Sequence, residues 1–183
     1  MISRACAWEI VTNSVKNINL RKHMLACEAC LRRLAPHFGG DADVWGLSGL
    51  LHDIDAEIVE NDHARHAKYA VEVMLAGEDV PDALKDAILA HNGFAGLEVK
   101  LSRALFCVDP TTGLIVAAAL MHPSKSLAGL ELASLSKRFR EKRFAAGANR
   151  EQIDSCTELG MDRDTFLGEC LEAMRSIAYE LGL

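Results

Sequence analysis

The sequence predicts an all-α fold. Alanine and leucine recur at three- and four-residue intervals along most of the 183 residues, and alternating runs of β-branched residues are absent. Cap residues stand before the apolar stretches, and glycine or proline often stands after them.

The elements follow in order. A first helix is expected after Ser3, running through Trp8, Val11 and Val15. A second follows Asn19 and places Leu20, Met24, Cys27, Leu31 and Leu34 on one face; Gly39-Gly40 favours its stop near Pro36 to Gly40. Asp41 or Asp43 caps a third helix, which carries the dipeptide His52-Asp53. Asn61 or Asp62 caps a fourth, over residues 64–75, closed by Gly77. Pro81 suits the first turn of a fifth that ends near His91-Asn92-Gly93. Residues 102–120 read as a long apolar helix interrupted at Asp109-Pro110, and residues 129–144 as a basic amphipathic one. Asn149 starts a further helix that ends at Gly160. The last covers residues 162–181, with Asp162 or Asp164 as its cap. Eight or nine helices result, and the length suits one domain over residues 1–183.

Composition narrows the function. A net charge of −6 and few aromatic residues argue against general nucleic-acid binding, which needs clustered cations or stacking platforms. No run reaches the ~20 apolar residues of a membrane span; the longest covers residues 114–121. No basic segment followed by a long apolar stretch opens the chain, so a secretory signal is not expected. The six cysteines fall mostly among apolar residues, which fits reduced, buried thiols and a cytoplasmic location. Cys27 and Cys30 have the spacing of half a zinc or redox site, but no second pair exists and Cys27 shares the apolar face of its helix; packing is the better reading.

His52-Asp53 is the sharpest local signal. Two metal-ligand side chains follow a nearly unbroken apolar run where leucine would otherwise be buried, and buried charge needs a partner or a metal. Adjacent helical residues diverge by ~100°, so both reach one centre only near a helix end. Gly46 and Gly49 allow a close helix approach nearby. His23 lies beside the second helix's apolar stripe, and His66 at the edge of the stripe of Tyr69, Ala70 and Val73. His91 and Asp109 fall on inward faces. Taken singly, His23 reads as a core histidine, His66 and His91 as helix-end groups, and Asp109 as an N-cap before Pro110. Taken together, they read as mixed nitrogen and oxygen ligation suited to Mn, Fe, Co, Ni or Zn.

The order His23, His52-Asp53, Asp109 resembles the HD superfamily of metal-dependent phosphohydrolases, and His66 and His91 stand where many members add two histidines. The resemblance spans about residues 19–121, which makes residues 122–183 a C-terminal helical extension. That extension resembles a bacterial subgroup of predicted HD-domain hydrolases. One departure is Asp55, which stands where many relatives have glycine. The resemblance implies that His23, His52, Asp53 and Asp109 hold one divalent ion. His66 and His91 would hold a second, with Asp53 bridging the two and orienting the attacking water. It further implies hydrolysis of a phosphate monoester or phosphodiester, on a small and nucleotide-like substrate. Two other classes stand beside this reading: a di-iron oxygenase on the same fold and a non-catalytic nucleotide sensor. Lys125 is a candidate phosphate contact. The basic residues 137–143 read as a solvated helix face, and apolar faces on the C-terminal helices would permit a homodimer.

Overall fold

The computed structural model describes residues 1–60 and 62–183, and among these residues it contains helices and turns but no strand. Helix α1 (Arg4–Ser14) begins where Ser3 Oγ accepts from the Cys6 amide at 3.2 Å. Helix α2 (Ile18–Leu34) starts slightly earlier than expected, because the Asn17 side chain accepts from the amides of Asn19 and Leu20. A 3₁₀ turn (Ala35–Phe38) then ends at Gly39, whose φ of +69° is the left-handed stop expected there. Asp41 caps α3 (Ala42–Leu51), and His52 is the residue that closes it. The pair His52-Asp53 therefore sits at a helix end, the position from which adjacent side chains can share one centre.

The expected fourth helix is the main departure. Asp62 accepts from the Ala64 amide and begins a turn, but Ala67 has a φ of +67°, which interrupts any regular helix. Helical geometry resumes late and widens to a π turn over Ala70–Met74. Asn61, the alternative cap, lies outside the described residues. Helix α4 (Asp82–His91) follows Pro81 directly.

Helix α5 (Lys100–Met121) runs unbroken through Asp109-Pro110, so Asp109 is not an N-cap. Proline removes one amide donor. Thr111 and Thr112 turn their hydroxyls onto the carbonyls of Cys107 and Asp109, at 2.7 and 3.0 Å, and so add side-chain bonds around that point. Because the helix is continuous, it is also long and apolar enough to cross a bilayer by length and composition, contrary to the sequence expectation. Its apolar side chains, Leu105, Val108, Leu114 and Ile115 among them, are buried in the core of the protein.

The basic helix is shorter than expected: α6 is Leu132–Arg140, and turns follow to residue 147. Asn149 caps α7 (Arg150–Asp154), a 3₁₀ turn ends at Gly160, and Asp162 caps α8 (Arg163–Ser176). A break at Ile177 separates the short α9 (Ala178–Leu181).

Two apolar clusters fill the interior. One joins α2, α5 and α8 around Leu31, Leu105 and Phe166. The other joins α1, α3 and α4 around Val11, Leu50 and Ile88. Helix α2 serves both, with Met24 in one and Cys27 in the other. Trp8 is half-buried against the second cluster. All six cysteines are free thiols and only Cys6 is exposed. Gly49 lets α3 lie directly on α2: a Cβ there would stand 2.6 Å from the Cys27 carbonyl carbon. That contact sets His52 against His23.

Candidate metal centre

The six predicted donors converge where α2, the C-terminal end of α3, α4, α5 and the irregular segment carrying His66 meet. Their shared feature is the state of each imidazole. His52 Nδ1 faces the Gly49 carbonyl at 2.8 Å, and His91 Nδ1 faces the Ile88 carbonyl. A carbonyl only accepts, so each Nδ1 carries the proton. His66 Nδ1 donates to Asp55 Oδ1 at 2.8 Å. His23 Nδ1 lies 2.9 Å from Thr112 Oγ1, whose own proton goes to the Asp109 carbonyl, so here too Nδ1 donates. All four rings are thus held with Nε2 turned to the centre. Supporting bonds of this kind fix the tautomer of metal-binding histidines.

The Nε2 atoms form two pairs. His23 and His52 place theirs 3.2 Å apart, and His66 and His91 theirs 3.0 Å apart. Two bare lone pairs at that distance repel unless a cation lies with them. Asp53 stands between the pairs. Its Oδ2 is 3.4 Å from His52 Nε2 and 3.6 Å from His23 Nε2, while its Oδ1 is 3.2 Å from His66 Nε2 and 3.6 Å from His91 Nε2. Asp109 Oδ1 adds a second carboxylate on the His23 side, at 3.3 Å.

Electrostatics agree with a site built for positive charge. Burial opposes ionisation of Asp53, but His52, His66 and His91 outweigh it and hold its carboxyl well below the usual range. Asp109 is lowered despite burial, by its bond to His23. Burial drives His52 down to about 4, so it is neutral at neutral pH. His66 is raised to about 10: burial works against its charge, and Asp53 and Asp55 overcome it. A proton on His66 thus occupies the place a divalent cation would take. The donor set therefore fits divalent metal: four oriented imidazole nitrogens, two ionised carboxylates, and, among the described residues, no Lys or Arg paired with either carboxylate.

Cys27 lies near the same cluster, with Sγ 3.8 Å from His23 Nε2, and by proximity it joins His23 and His52 as a third donor. Burial pushes its thiol up to about 11, which keeps it protonated at neutral pH and favours Asp109 as the partner on that side. Lys125 is not brought to the site. It is exposed beyond the C-terminal end of α5, and the helix alone carries about 18 Å between Asp109 and Met121.

Three supporting residues were not anticipated. Asp55, fully buried, uses Oδ1 on His66 and Oδ2 on the Ala70 amide, at 2.8 and 3.0 Å. Thr112 holds His23. Asn92 donates to the carbonyls of His63 and His66, which ties the irregular segment to the end of α4. A buried carboxylate two residues after Asp53 was the readable signal; Thr112 and Asn92 carry none until the helices are placed. The site opens on one side, since the side chains of Asp109 and His23 are 30% and 22% exposed while His52 is sealed. That opening is a recess of about 370 Å³, also lined by Gly113, Ala145 and Gly147.

A family model for the HD domain matches residues 20–119, which include all six donors. Neither a curated protein nor a solved structure gives a significant match. The matched span covers more than half of the chain and the helices that build this cluster, and the chain belongs to the HD-domain family.

Proposed function

We propose that the protein is a metal-dependent phosphohydrolase that cleaves a phosphate monoester or phosphodiester with water. HD domains bind divalent metals and are typical of such hydrolases, and the cluster of His and Asp side chains agrees. The observation that carries the reading is the placement of Asp53, with one carboxylate oxygen toward each pair of Nε2 atoms. His23, His52, Asp53 and Asp109 would hold one ion, and Asp53, His66 and His91 a second.

When bound, such ions supply positive charge for the phosphate and lower the pKa of a water molecule towards ~7. The protein contributes orientation. Its four imidazoles are locked before ligand arrives, so little reorganisation is needed on binding. Asp53, ionised and central, accepts a hydrogen bond from the attacking water and aims it. The buried floor at His52 excludes bulk water, and the phosphate enters from the open side by His23 and Asp109.

The test is elemental analysis of protein purified without chelator, followed by phosphate release from a panel of esters with the metal found. Release by the native protein is expected. Asp53→Ala and His52→Ala should lose metal and at least ~10³-fold of the activity while keeping their helical circular dichroism. Full activity in either variant overturns the reading. So does oxygen consumption by an iron-loaded protein that releases no phosphate.

A further inference from the structure

The donor cluster does not end at its mouth. A groove of about 530 Å³ runs from His23 along the outer side of α5, between α2 and α9. Its walls are aliphatic: Ala26 from α2, Val116 and Leu120 from α5, Leu181 from α9. No Phe, Tyr or Trp lines it, and its polar side chains are few: Asn19, Lys22, His23 and Thr112, the last already engaged with His23 and the Asp109 carbonyl. Lys22, half-buried, lines its α9 end, with the ammonium against Gly182, and forms no ion pair among the described residues.

His23 and Gly113 border both this groove and the recess over Asp109. Gly113 is the connecting point. A Cβ built there meets no atom within 4 Å, so the glycine leaves open space where a side chain would stand. It sits in the interior of α5, a position where glycine costs roughly 1 kcal/mol relative to alanine. Neither a positive φ nor a close helix contact asks for it.

We propose that this groove is the subsite for an aliphatic group carried by the phosphate ester, with Gly113 as the residue that keeps the passage open. The proposal rests on the phosphohydrolase reading and narrows its substrate class. A phosphate held at His23 and Asp109 would direct its organic group along Val116 and Leu120. The lining favours an alkyl group over a nucleobase, because it supplies no Phe, Tyr or Trp for stacking and, beyond Asn19 and Lys22, no free side-chain donor for the base edge.

The experiment measures binding of methylphosphonate and n-hexylphosphonate by calorimetry, to the metal-loaded full-length protein and to its chelated form. Each buried methylene is worth up to about fourfold in affinity, so the hexyl compound is expected to bind at least about tenfold tighter. The preference should survive chelation, since the groove and not the metal supplies it. Gly113→Leu should abolish the preference, and so should Leu120→Asp, which lines the groove but not the recess and should leave metal content, helical circular dichroism and methylphosphonate affinity unchanged. Equal binding of the two phosphonates overturns the proposal, as does a Gly113→Leu protein that keeps the preference. A nucleoside monophosphate that binds tighter than hexylphosphonate overturns the aliphatic assignment. Loss of phosphate-ester hydrolysis with the chain-length preference intact would count against the enzymatic reading alone.

Discussion

Each of the four histidines commits one ring nitrogen to the protein and presents the other to the centre, and the partners differ in how firmly they hold. Gly49 and Ile88 are helix-end carbonyls that cannot turn away. Asp55 is a side chain, itself anchored by the Ala70 amide. The Asp55–His66 pair is therefore the replaceable support. Asp55→Asn should weaken metal at the His66 and His91 side by about 10- to 100-fold and leave the His23 side unaffected. Metal titration would show this as loss of the weaker class of site only. Unchanged titration would remove Asp55 from the metal centre. The same residue shows what sequence reading can reach. Its burial was inferable from the apolar residues around it, but its partner, eleven residues away, was not, because the intervening segment is irregular.

Among the elements, the crossing of α2 and α3 decides whether His23 and His52 meet. Gly49 is the point of closest approach, with the Cys27 backbone where its Cβ would be. Gly49→Ala must push the helices apart, at a cost of typically 1–3 kcal/mol. Chemical denaturation should show that loss, and metal binding on the His23 side should fall with it. A variant of native stability would mean the two helices have slack. The other long elements were mostly legible. Ser3, Asp41, Asn149 and Asp162 all cap as their residue types predict, and each start signal lies within a few residues of the backbone it serves. Residues 64–75 read as one helix in the sequence and do not form one. Their apolar spacing is helical, yet Ala67 takes a left-handed conformation that alanine alone does not announce. Helix α5 departs in the opposite sense. Pro110 looked like a boundary, and the core on both sides of it holds the helix straight through.

For the whole molecule, the His and Asp cluster ties folding to pH. In the metal-free protein His66, raised to about 10, contributes stability that is complete below its unfolded value of ~6.5 and is lost as pH rises through about 10. His23 is shifted in the same sense. His52, lowered by burial to about 4, acts oppositely: stability is lost as pH falls from ~6.5 towards about 4, on the order of 3 kcal/mol in full. Asp53 and Asp109, both lowered, extend the acid loss to still lower pH. The melting temperature of chelated protein should therefore peak near pH 6.5 and decline on both sides. Added divalent metal should flatten the alkaline decline by replacing the proton on His66. A chelated protein that grows steadily more stable from pH 6.5 to 9.5 would contradict this account.

Helix-forming composition, caps and the order of His and Asp residues were enough to predict an all-α HD-type protein and to name six candidate donors. Those features act over a few residues or recur as a pattern, so they can be read along the chain. The pairing of Nε2 atoms, the two-sided placement of Asp53, the support from Asp55 and Thr112, and the distance of Lys125 from the site could not be read that way. Each depends on how separate helices cross and how far one runs past a proline, and long-range packing sets those quantities.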